Sequence, residues 1–125
     1  MSGVREEFAA FYRELHEAIG QEQAGQGASP TGAREAYLWQ QRFAEELAAG
    51  EAIEMLDVPT GCGKTTAIEC FLFALAWQLR QGRRDLPLRL FWVVDRRSVV
   101  DQIFDHAASV ATALERSPGE SVAWV

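Results

Sequence analysis

The order of apolar runs along the second half of the chain predicts an α/β fold with a parallel sheet. Three observations carry that prediction. Short β-favouring runs stand at 52–58 (AIEMLDV), 88–94 (LRLFWVV) and 121–125 (SVAWV). Longer runs of helical character separate them, at 64–81 and 98–115. Strand, helix, strand, helix, strand in that order leads to right-handed crossovers between parallel neighbours.

Each element has a local reason. Residues 4–19 place Phe8, Phe11, Tyr12, Leu15 and Ile19 at helical spacing with glutamates on the other face, which predicts an amphipathic helix ended by Gly20. GQEQAGQGASPTG, residues 20–32, reads as a flexible linker. A second helix over 34–49 turns Leu38, Trp39, Phe43 and Leu47 inward and stops at Gly50. The helix 64–81 is closed by Gly82, with arginines at its end as the helix dipole favours. LRLFWVV is apolar almost throughout, as suits a strand buried on both faces. Ser98 with Asp101 has capping-box character and opens the last helix. Two units result: an N-terminal helix with linker, 1–32, and an α/β unit, 33–125.

With 125 residues the chain buries one core, and 48% hydrophobic with 24% charged residues is ordinary globular composition. The net charge of −6 gives no whole-chain signal for nucleic acid. Arginine is nevertheless concentrated: Arg80, Arg83, Arg84, Arg89, Arg96 and Arg97 face only Asp85 and Asp95 locally. Cys62 and Cys70 make neither a disulfide framework nor a zinc pattern, which fits a reducing cytoplasm. The charged N-terminus is no signal peptide, and no apolar run is long enough to span a membrane.

The most informative stretch is DVPTGCGKTT, residues 57–66. It follows the phosphate-loop pattern G-x-x-x-x-G-K-[ST], with Val58 in place of the first glycine. Gly61 and Gly63 allow a tight loop in which the amides of Thr60, Gly61, Cys62 and Gly63 converge on an anion, backed by the next helix's N-terminus. Lys64 reaches the outer phosphates; the Thr65 hydroxyl joins a magnesium shell, with Thr66 beside it. Lys64 is also the only lysine beside eleven arginines, which points to a role for a compact ammonium.

VPTGCGKT resembles motif I of the superfamily 2 helicases. YLWQQRF, upstream, resembles their Q motif, whose glutamine amide reads adenine; Gln40 is the first candidate and Gln41 the alternative. FWVVDRRSVVDQ, downstream, resembles motif Ia, which holds the backbone of a nucleic-acid strand through Arg96, Arg97, Ser98 and Gln102. Together the three are similar to the Cas3-type CRISPR-associated helicase-nucleases, in the subtype with the helicase first. That resemblance covers roughly residues 35–115 and implies a partial RecA-like first lobe. It further implies ATP and Mg²⁺ as cofactors, Lys64 and Thr65 as catalytic residues, and Thr65 as a magnesium ligand through the nucleotide. Single-stranded DNA and a guide-RNA surveillance complex would be the partners.

The chain departs from the family in lacking a D-E-x-H/D motif and a second lobe, so weak binding and very slow hydrolysis are expected of it alone. With so short a stretch ahead of Gln40, a leading HD nuclease is not expected. His16 and His106 read as lone surface or packing residues. Three alternatives stay open: another superfamily 2 ATPase; a P-loop small-molecule kinase, with Asp95 ending a Walker B strand; and a non-catalytic fragment that only binds.

Overall fold

The computed structural model describes residues 2–25, 35–51, 53, 55–58 and 64–116. Four helices follow in order: α1 (Ser2–Gly25), α2 (Leu38–Ala48), α3 (Ala67–Arg80) and α4 (Arg97–Arg116), with a 3-10 turn, Lys64–Thr66, leading into α3. Among the described residues there is no strand. The expected parallel sheet, and with it the RecA-like lobe, is therefore corrected to an all-helical arrangement. The composition of 88–94 favours a strand, but a strand exists only through pairing, and none of the described residues pairs with this run. Residues 88–91 and Val93 are exposed and Trp92 and Val94 half-buried, instead of the run being buried on both faces. Residues 121–125 lie outside the described residues.

The stripe expected on α1 forms the core: Phe8, Phe11, Tyr12, Leu15 and Ile19 are buried, joined by Val4. Their partners are Ala44 and Ala48 of α2, Cys70, Phe73 and Ala74 of α3, and Val110 and Ala113 of α4. Phe73 is the centre of this cluster. Its ring meets Phe8 edge-on at 5.3 Å and lies 5.5 Å from Phe11 and 6.0 Å from Trp77. The helix α1 runs through Gly20, its expected end; one glycine costs a helix only about 1 kcal/mol, and the buried apolar face outweighs it.

The helix α2 is rotated from its expected orientation. Gln40, Ala44 and Ala48 are its buried residues, while Leu38 is exposed and Trp39, Phe43 and Leu47 are half-buried. The two alanines are short enough to let α2 pack closely on α3, its most extensive partner. A polar residue fills the third inward position.

Both α2 and α3 end in the same way. Gly50 and Gly82 adopt positive φ (82° and 75°), and the following amides return to the last turn: Glu51 N–H to Glu46 O, and Arg83 N–H to Gln78 O. At Gly50 a side chain would also meet Asp85 Oδ2 at 3.0 Å. Buried Gln78 locks the two ends together. Its amide nitrogen donates to the carbonyls of Leu47 and Ala48, while its oxygen accepts the N–H groups of Asp85 and Leu86. Every bond a buried amide needs is thus made.

The last helix opens one residue earlier than its capping signal, with the N–H groups of Val99 and Val100 bonded to Arg96 O. Ser98 accordingly lies inside its first turn. On the outside, Arg5 forks onto Glu45 with both nitrogens, at 2.7 and 3.3 Å, and clasps α1 to α2. Arg13 does the same to Glu35, and its hydrogen bonds hold that carboxyl below the usual carboxylate range. No helix among the described residues is long and apolar enough to cross a membrane.

Candidate nucleotide site and a buried carboxyl–imidazole node

Of the residues predicted to grip phosphate, Thr60, Gly61, Cys62 and Gly63 lie outside the described residues. Lys64, Thr65 and Thr66 form the 3-10 turn that leads into α3. Lys64 is exposed and makes no ion pair among the described residues; Thr65 is half-buried. An exposed ammonium with no ion pair among the described residues, at the N-terminal end of a helix, suits an anionic ligand.

Thr66 points the other way. Its hydroxyl accepts a 2.5 Å hydrogen bond from the Gln40 side-chain amide, and both residues are buried. The Gln40 oxygen accepts the N–H of Tyr37 at 2.8 Å, and the Gln40 carbonyl meets the Cys70 thiol at 3.6 Å. Gln40 is thus the brace that ties the start of α2 to the turn carrying Lys64. With both ends of its amide engaged inside the chain, Gln40 is not turned outward toward a base in this structure. Gln41 bonds the Ala36 carbonyl at 3.1 Å and is half-buried.

Beside this brace, α2 and the segment entering the loop enclose an open cleft of about 170 Å³. Trp39, Arg42, Phe43, Met55 and Asp57 are among the residues that line it. Ligand sites usually offer about 300–1,000 Å³, so this cleft admits a base-sized group and not a whole nucleotide.

Arg96, Arg97, Ser98 and Gln102 are all exposed at the start of α4. Ser98 and Gln102 are one turn apart and share a face. Other members of the arginine group are committed elsewhere. Arg80 pairs with Glu7 at 3.2 Å and lies over Trp77, while Arg83 pairs with Asp85 and donates to the Ala48 carbonyl. Asp95 is exposed, and among the described residues no group of three histidines, cysteines or acidic residues could hold a metal ion.

Sequence reasoning missed a second cluster. Glu69, in the first turn of α3, is completely buried, and its Oε1 meets His106 Nε2 of α4 at 2.6 Å. His16 Nε2 of α1 lies 3.5 Å from the same oxygen without hydrogen-bond geometry, and Glu69 Oε2 has no hydrogen-bond partner among the described residues. The two imidazoles, expected to be lone helix residues, instead converge on one carboxyl. No local pattern announces this, because each member comes from a different helix. Next to it, burial first and the Glu69 charge second push the Cys70 thiol well above its ordinary range, so this free cysteine is an inert core residue.

No family model, curated protein or solved structure matches the chain.

Proposed function

We propose that the chain binds the triphosphate of ATP with magnesium, through the loop Thr60–Gly63 and the side chains of Lys64 and Thr65. The observation that carries this reading is the Gln40–Thr66 hydrogen bond. It joins two segments that resemblance alone placed in one site, and it leaves Lys64 outward. The roles divide accordingly. Lys64 supplies the ammonium for the outer phosphates, Thr65 a hydroxyl for the magnesium shell, and Gln40 with Thr66 holds the turn in place.

The wider function proposed is that of an ATP-binding portion of a Cas3-type, CRISPR-associated DNA translocase acting in the cytoplasm. Its support is the order of the three motifs and the exposed Arg96, Arg97, Ser98 and Gln102, a surface that suits a single DNA strand's phosphates. A surveillance complex as recruiting partner follows from the resemblance alone. No D-E-x-H/D motif occurs in the sequence, so nucleotide is expected to bind without rapid turnover.

A fluorescent ATP analogue titrated against the unaltered chain and Lys64→Ala tests the reading. Loss of the ammonium removes charge-assisted hydrogen bonds and should weaken binding about 10- to 100-fold. Equal affinity of the two chains would overturn it.

A further inference from the structure

Among the described residues, the run 88–94 leaves four large apolar side chains in water. Phe91 and Val93 are 81% and 90% exposed, Leu88 63% and Leu90 47%. The run contains no proline and one charge, Arg89, and is rich in the β-branched and aromatic residues that favour strands. Such a run offers unpaired backbone donors and acceptors to any strand that can lie beside it.

We infer that a second copy of this chain lies there, the two runs pairing antiparallel about Trp92 to make a symmetric dimer. Charge and register select this occupant. Centred on Trp92, the pairing sets Arg89 of each chain opposite Asp95 of the other, twice over by the two-fold symmetry. Both residues are exposed and make no ion pair within the chain among the described residues. The same register sets Phe91 opposite Val93 and Leu90 opposite Val94, the aromatic–aliphatic and aliphatic pairs that stabilise neighbouring strands.

The adjacent symmetric registers are worse. Centring on Phe91 sets Asp95 opposite Pro87, which has no N–H to give. Centring on Val93 sets Arg89 opposite Arg97, and like charges directly across strands repel. A two-stranded ribbon is marginal without a further apolar face. Val100 and Phe104, exposed and one turn apart on α4 just beyond the run, can supply it.

Sedimentation equilibrium of the full chain tests the inference, with circular dichroism to confirm that each variant keeps its helices. The unaltered chain should be a monomer–dimer mixture at about 10–100 µM, the affinity of a small interface. Arg89→Asp and Asp95→Arg should each weaken the dimer about 30-fold, since two attractive pairs become repulsive. The double exchange Arg89→Asp/Asp95→Arg should restore it. Hydrogen exchange on the unaltered chain adds a readout independent of any variant: the amides of 90–94 should gain protection as concentration rises. A monomer at 200 µM, irregular aggregates in place of a dimer, a dimer indifferent to both single exchanges, or exchange at 90–94 independent of concentration would each overturn the inference.

Discussion

Phe73→Ala should lower the stability of the chain by about 3–5 kcal/mol, the usual cost of removing a buried aromatic ring. Phe73 is fully buried and touches rings from α1 and from its own helix, so its loss opens a void where α1 and α3 meet through aromatic contacts. Domains of this kind hold together by roughly 5–15 kcal/mol in all. The variant is therefore expected near the edge of unfolding at 25 °C. Urea denaturation followed by circular dichroism gives the number. A midpoint within error of the parent's would mean that Phe73 is not at the centre of the core.

The second large effect concerns the buried carboxyl. His106→Ala should cost about 3 kcal/mol or more, because buried Glu69 loses the one hydrogen-bonded partner it has among the described residues. The lost contact matters less than the carboxyl left behind. Accordingly, adding Glu69→Met to His106→Ala should recover much of the loss, since a thioether of similar length needs no partner. A double-mutant cycle in urea isolates the coupling. If the double variant were less stable than His106→Ala alone by the full cost of Glu69→Met, the two residues would be independent and the node would carry no energy.

How much of this could be read from the sequence depended on whether the deciding interaction was local. The stripe of α1 repeats every three or four residues, and all five expected side chains are buried. Gly82 was legible for the same reason, since a helix end needs a positive φ that glycine adopts without strain. On α2 the large apolar residues misled. Packing favoured the short side chains Ala44 and Ala48, and Gln40 counted as polar although its hydrogen bonds permit burial. For residues 88–94 composition stated a preference, but strand formation depends on a partner that no local window contains. His16, Glu69 and His106 meet only through the packing of three helices, so their cluster is invisible along the chain.

The candidate site divides along the same line. Motif spacing named Lys64 and Thr65, and the resemblance of YLWQQRF to the Q motif named Gln40. What it did not supply is the bond between Gln40 and Thr66, which makes the glutamine a brace for the turn. That Arg96 and Arg97 stay in solvent while Arg80 and Arg83 are drawn into pairs is likewise a matter of neighbours, and no charge count shows it.

The central claim is that an anionic nucleotide tail settles on the turn before α3. Amide chemical shifts of the isotopically labelled chain, followed as magnesium and ATP are added, test it most directly. The account predicts the largest movements at Gly61, Gly63, Lys64 and Thr65, saturating together, and far smaller ones when adenosine replaces ATP. Movements confined to other parts of the chain, or none at saturating nucleotide, would contradict it.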